Sequence, residues 1–221
     1  MSDAHHESNR RFYDRIAGAY DFIADANERA ARQAGVAALA VRPGETVLEL
    51  GFGTGNEVLD LAGLVGATGT VAGIDISPGM LGVAQSKVAA ANLPARIDLR
   101  TADARALPFA AATFDAAYTS FTLELFPAAD IPLVLAEVRR TLKPGGRFAV
   151  VSMATVRPGH HVSALERTYI WMHRHFPHLV DCRPIDTEAL VSAAGFTVVS
   201  VADREIWTMP VRVVTARSPG E

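Results

Sequence analysis

The sequence predicts a doubly wound α/β sheet of seven strands, and three observations carry that prediction. Short apolar runs alternate with helical patterns from residue 46 to residue 152, proline and glycine stops separate them, and the first run passes directly into three spaced glycines, Gly51, Gly53 and Gly55. Such alternation forces parallel strands with right-handed crossovers, because each helix must return the chain to the same end of the sheet.

Residues 10–24 place Phe12, Ile16, Tyr20 and Ile23 on one face of an amphipathic helix, and residues 27–40 read as a second, alanine-rich helix that stops at Arg42-Pro43-Gly44. Strands are expected at 46–50, 70–74, 96–101, 114–120 and 147–152. Helices are expected at 56–65, at 78–91 with Ser77 as N-cap and Pro78 in the first turn, and at 131–142. Residues 156–185, rich in histidine, arginine and aromatics, break this rhythm and read as a cap over the sheet's carboxyl edge, with a helix at 164–175. A helix at 187–194 ends at Gly195, and strand-like runs at 197–202 and 205–215 are close enough for an antiparallel hairpin at one edge. The 221 residues suit one domain: amino-terminal helices (1–40), a core (44–153), the cap (156–185), and a final helix and hairpin (186–216).

The net charge of -3 lacks the basic footprint with which nucleic-acid binders displace counterions, so DNA and RNA are not expected partners. A single cysteine, Cys182, allows no intrachain disulfide and suits a reducing compartment. No apolar stretch reaches the roughly 20 residues needed to span a bilayer, and residues 1–11 are polar rather than signal-like; a cytoplasmic protein is expected. His173, His175, His178 and Cys182 match no common ligand spacing, so no metal site is expected.

The segment from Val47 to Asn56 carries the chemistry. A buried strand runs into Gly51, Gly53 and Gly55, residues that permit a tight turn and let backbone N–H groups approach a ligand. Asp75, 24 residues after Gly51, ends the second strand, where a carboxylate can accept from both ribose hydroxyls of an adenosine. The alternative, a plain turn with Asp75 capping the next helix, is weakened by the strand–loop–helix context. A dinucleotide fingerprint wants G-x-G-x-x-G/A, but Asn56 stands at the last of those positions. Glu49, two residues before Gly51, would repel a diphosphate yet suits a cationic group; its other reading is a buried strand-end carboxylate bonded to backbone.

At these residues the chain resembles the class I S-adenosylmethionine-dependent methyltransferases, especially the ubiquinone and menaquinone biosynthesis C-methyltransferases, from Phe12 to about Met153. The resemblance implies a Rossmann-like sheet with S-adenosylmethionine as cofactor. It puts the loop 49–55, followed by Asn56, under the methionine part and Asp75 on the ribose. Ile76 and Met80 would then pack on the adenine, and Asp103, beside Ala104, would accept from the adenine amino group. Leu107-Pro108-Phe109, Phe114-Asp115 and Leu142-Lys143-Pro144-Gly145-Gly146 follow in the family's order. Tyr20, within the family-like segment 12–21, would close over the methionine end, or else belong to the core.

Methyl transfer from a sulfonium is an in-line displacement, so the protein chiefly aligns two reactants and excludes water. Ligands of open α/β sheets sit beyond the strand carboxyl ends, which points to residues 119–126 as the acceptor region. There Glu124 is a candidate base or cation binder, or a solvated carboxylate at a helix start. His173 in the cap is a second candidate base, alongside His160, His161 and His175. The quinone C-methyltransferases carry a more glycine- and asparagine-rich segment at 119–126. The acceptor class therefore stays wider, covering quinols, phenols, amines and lipid headgroups. A nicotinamide-dependent oxidoreductase and a non-catalytic S-adenosylmethionine-binding module are the competing classes.

Overall fold

The computed structural model describes residues 7, 10, 11, 14, 20–155, 183–206 and 209–220, with the backbone alone at 20–27. His173 and most of the cap expected at 156–185 lie outside the described residues.

The first described element, α1 (Tyr20–Leu39), is one continuous helix where two were expected. Asp25-Ala26-Asn27 holds neither proline nor glycine, so nothing in the backbone ends the helix at that point. There follow β1 (Thr46–Leu50), α2 (Asn56–Val65), β2 (Thr70–Asp75), α3 (Pro78–Ala91), β3 (Arg96–Thr101) and β4 (Phe114–Ser120). After a single 3-10 turn at Leu123–Leu125 come α4 (Ile131–Thr141), β5 (Leu142–Met153), α5 (Thr187–Ala193), β6 (Thr197–Ile206) and β7 (Met209–Arg217).

The seven strands form one sheet in the order β3-β2-β1-β4-β5-β7-β6. The first five pair in parallel, whereas β7 runs antiparallel to both β5 and β6. Strand β5 begins at Leu142, earlier than expected, because Leu142 already pairs with Phe114; the Lys143-Pro144-Gly145-Gly146 stretch is absorbed as an irregularity before the ladder resumes at Arg147 opposite Ala116. The hairpin also turns later than expected. Asp203 stands opposite Arg212 and accepts from its buried Nε at 2.9 Å, which keeps Glu205 and Ile206 in β6.

Two cores sandwich the sheet. Val47, Val71, Tyr118 and Val151 meet α1, α2 and α3 through Leu39, Leu61 and Ala84 on one face. Leu48, Ile74, Phe148 and Val150 meet α4 and α5 through Val134, Leu135 and Val191 on the other. Strands covered on both faces, such as β1 and β2, read as short apolar runs bounded by turn residues, whereas the edge strand β3 is largely exposed. Chain order reverses between β1 and β4, so a crevice opens beyond their carboxyl ends, where the glycine loop lies. No helix among the described residues is long and apolar enough to cross a membrane.

The hinge of this arrangement is Gly55, the N-cap of α2, held at φ 83° against α3. A Cβ there would stand 2.9 Å from the Ala84 Cβ and 3.2 Å from its Cα. Gly55→Ala combines a left-handed backbone with a contact that α3 must yield to, and should cost about 1–3 kcal/mol of stability in chemical denaturation. An unchanged unfolding midpoint would contradict this packing.

Candidate active site

A cleft lies beyond the sheet's carboxyl edge, with about 850 Å3 of space that includes open solvent. Each wall follows from a strand end. Gly51, Phe52 and Gly53 come from the loop after β1, Ile74, Asp75 and Ile76 from the end of β2, and Ala102, Asp103 and Ala104 from the segment after β3. Ser120, Phe121, Thr122, Leu125 and Phe126 come from the end of β4, Met80 from α3, and Arg32 from α1.

Backbone hydrogen bonds fix the loop. Gly51 donates from N to the Ile74 carbonyl at 2.8 Å, and Gly53 donates from N to Asp75 Oδ2 at 2.9 Å. Gly53, at φ 50°, would carry a Cβ into open space, so its backbone presents a bare face to the cleft. Asp75 also accepts from Ser77 N at 2.9 Å. Burial raises its carboxyl while the backbone N–H groups of Ser77 and Gly53 counteract that. Two oxygens offer about four lone-pair positions, so the carboxylate keeps acceptor capacity toward the cleft. Ser77, accepting from Met80 N at 3.0 Å, caps α3 and sets Met80 on the wall; Asp14 in turn accepts from Ser77 Oγ at 2.5 Å and Gly79 N at 2.9 Å. Asp103 faces the cleft while paired with Arg105 at 2.7 Å, and Arg105 reaches on to Asp130 at 3.2 Å.

Of the residues singled out from the sequence, Gly51, Gly53, Asp75, Ile76, Met80, Asp103 and Ala104 come together on the cleft wall. Gly55 and Asn56 stand behind it. The Asn56 Oδ1 accepts from Lys87 Nζ at 2.6 Å, which joins the start of α2 to α3. Glu49 is also behind the wall, 1 % exposed, with Oε2 lacking a hydrogen-bond partner. Burial pushes its carboxyl well above the ordinary carboxylate range, Glu57 adds to the rise, and Arg32 opposes it. The Tyr20 side chain and His173 lie outside the described residues.

Glu124 is no solvated helix-start carboxylate. It is 2 % exposed, turned to accept from Met153 N at 2.9 Å, and its Oε2 has no hydrogen-bond partner among the described residues. Burial raises its carboxyl to about 8. It does not line the cleft, although Thr122 and Leu125 on either side do.

Sequence reasoning missed Arg32 and the strain at Phe121. Arg32 is buried, with Glu28 Oε2 at 2.5 Å and Glu57 Oε2 at 3.3 Å, and its guanidinium lies 5.6 Å from the Phe121 ring centroid. An arginine in an alanine-rich helix reads as a surface residue, and only the packing of α1 on the sheet turns it inward. Phe121 sits at φ 49°, a left-handed backbone that costs a non-glycine residue about 1–3 kcal/mol and that marks functional turns. No residue-type signal announces it.

Residues 47–146 match a family described as a methyltransferase domain. Among curated proteins the chain is 39% identical over 144 residues to a demethylmenaquinone methyltransferase of Symbiobacterium thermophilum, covering 63% of this chain and 56% of that protein. It is 37% identical over 145 residues to a 2-phytyl-1,4-naphtoquinone methyltransferase of Synechococcus elongatus, covering 64% and 61%. The chain thus spans less than two thirds of the length of these relatives. Among solved structures, the cyclase SpnF superposes with a TM-score of 0.76 at 19% identity, over 96% of this chain and 95% of that one. The 1,6-didemethyltoxoflavin-N1-methyltransferase of Burkholderia thailandensis, solved with S-adenosylhomocysteine, gives 0.72 at 20%, over 99% and 91%. At those identities the likeness is one of fold.

The cleft fits the cofactor of that domain. Asp75 offers a carboxylate to a ribose, Ile76, Met80 and Ala104 offer an apolar slot to a purine, and the bare Gly53 backbone leaves room between them. Residues 47–146, with this strand order and the glycine turn at the β1/β4 reversal, thus match a methyltransferase domain and are similar to that part of the demethylmenaquinone and 2-phytyl-1,4-naphtoquinone methyltransferases.

Proposed function

We propose that the chain works as one methyltransferase unit, transferring the methyl group of S-adenosylmethionine to a phenolic or quinol-like acceptor that enters beside residues 120–126. The observation that supports this reading most is the division of one cleft into two chemically different halves. Asp75, Ile76, Met80, Asp103 and Ala104 suit a nucleoside, while Phe121, Leu125 and Phe126 offer aromatic and aliphatic faces to a second, flat reactant. The likeness to demethylmenaquinone and 2-phytyl-1,4-naphtoquinone methyltransferases points in the same direction.

When bound, the cofactor supplies an electrophilic methyl group on a positively charged sulfur. The chain's own residues align, desolvate and hold charge. Asp75 and the glycine turn orient the nucleoside, and Phe121 and Phe126 keep water from the transfer region. Glu124 serves as a positioning residue: by accepting from Met153 N it fixes the end of β5 against the turn carrying Thr122, Leu125 and Phe126.

Incubation with methyl-labelled S-adenosylmethionine and a panel of phenols, quinols, amines and lipid headgroups should transfer label to the phenols or quinols. Label found only on amines or lipids would overturn the acceptor assignment, and silence across every class would favour a binding module. Asp75→Ala should weaken S-adenosylmethionine binding by at least the ~1–3 kcal/mol of a hydrogen-bonding group left unpaired. Unchanged affinity in a folded variant would refute the ribose assignment.

Glu124 gives a pH test. Its carboxyl, raised from 4.5 to about 8 by burial, stays protonated in the folded chain over a range where the unfolded chain ionises. Stability from this group is therefore full below the unfolded value and is lost as pH rises through about 8. Glu124→Gln keeps an oxygen for Met153 N and removes the titration, so its Tm should fall less steeply with pH than that of the wild type. Parallel Tm profiles would show that Glu124 is not held protonated.

A further inference from the structure

We propose that Arg105 is a positioning residue for the base of the cofactor: by holding the Asp103 carboxylate in one orientation, it makes the cleft select adenine over hypoxanthine. This rests on the cleft taking S-adenosylmethionine with its purine beside Asp103. Asp103 stands on the cleft wall, and its side chain keeps 34% of its surface open although it is paired. Arg105 grips it through backbone and side chain together. The Arg105 backbone N donates to Asp103 Oδ1 at 2.9 Å, Nε reaches Oδ1 at 3.2 Å and Oδ2 at 3.0 Å, and Nη2 reaches Oδ2 at 2.7 Å. Ala106 N donates to the Asp103 carbonyl at 3.1 Å, which closes the turn that carries both residues.

The fork is itself held. Arg105 Nη1 donates to Asp130 Oδ2 at 3.2 Å, at the start of α4. Asp130 is the N-cap of that helix but makes no side-chain capping bond, and Pro132 in the first turn lacks one of the N–H groups that such a cap would take. The buried Asp130 carboxylate is turned to Arg105 instead. With the guanidinium tied at both ends, Asp103 cannot rotate without breaking fork-to-carboxylate bonds, which are strong and geometrically specific.

That orientation decides which base fits. Adenine offers the N–H donors of its exocyclic amino group to a carboxylate fixed opposite them. Hypoxanthine presents carbonyl lone pairs at the same place, and the two acceptors repel. Its compensating donor is the ring N–H beside that carbonyl, which only a carboxylate free to turn can follow. A clamped Asp103 therefore accepts adenine alone, whereas an unclamped one adapts to either base.

Were Arg105 only a neutralising link between Asp103 and Asp130, its removal would affect both bases alike. Calorimetry on the full chain with S-adenosylhomocysteine and S-inosylhomocysteine, which differ in carrying adenine or hypoxanthine, separates the two roles. The wild type should bind the inosyl compound about tenfold or more weakly, the scale of one hydrogen bond to a charged group. Arg105→Gln should bring the two affinities within about threefold of each other. Arg105→Lys keeps the cation but loses the fork, and its ratio should fall as well. A wild type that binds both compounds equally, or an Arg105→Gln with the wild-type ratio, would overturn the positioning role while leaving the cofactor reading standing. Should Arg105→Gln fail to fold, Arg105→Lys decides, and the full wild-type ratio there refutes the role. A wild type that binds neither compound removes the cofactor reading and this proposal with it.

Discussion

The turn after β1 is held by the strand beside it, and the cleft takes its shape from that. Gly51 N reaches the Ile74 carbonyl and Gly53 N reaches the Asp75 carboxylate, so the loop cannot move without breaking bonds to the end of β2. Asp75 therefore has two tasks, closing the turn and facing the ligand. The same carboxylate takes Ser77 N, and Ser77 caps the helix that presents Met80. Loop, strand end and helix start are joined through one side chain, which sets the floor and one wall of the cleft. Catalysis by alignment needs such preorganisation.

Behind this turn lies a second constraint, the buried charge shared between α1 and α2. Arg32 on α1, Glu57 on α2 and Glu49 on β1 are buried, with the half-buried Glu28 of α1 beside them, and among the described residues Arg32 is a cation that compensates these acids. Through Arg32 the first helix reaches the cleft wall. The strained Phe121 backbone belongs to the same region, since Phe121 N bonds the Val151 carbonyl while its ring meets Arg32.

Much of this was legible in the residues. Strands covered on both faces appear as apolar runs, which marks β1, β2 and β4; β3, an exposed edge strand, alternates apolar and charged residues instead, and Ser77-Pro78 announces α3 through its capping chemistry. What failed was local. The break expected inside α1 had no glycine or proline behind it, and the hairpin turn moved because Asp203 and Arg212 pair across the strands. In the site, Asp75 and Asp103, at or just beyond the ends of β2 and β3, and Met80, in the first turn of α3, stand on the cleft wall that the resemblance implies. Arg32 was not found, because its approach to Phe121 and Glu57 exists only once α1 packs on the sheet. Glu124 was found as a residue, but its burial against Met153 depends on a partner 29 positions away, beyond the reach of any local pattern.

The central claim is that the cleft at the β1/β4 reversal holds S-adenosylmethionine with its ribose on Asp75. A crystal structure of the full chain with S-adenosylhomocysteine tests it most directly. The account predicts the ribose hydroxyls on Asp75, the purine between Met80 and Ala104, and the sulfur facing the Phe121 and Phe126 side. A product bound elsewhere, or with its ends reversed along β1 to β3, would contradict it.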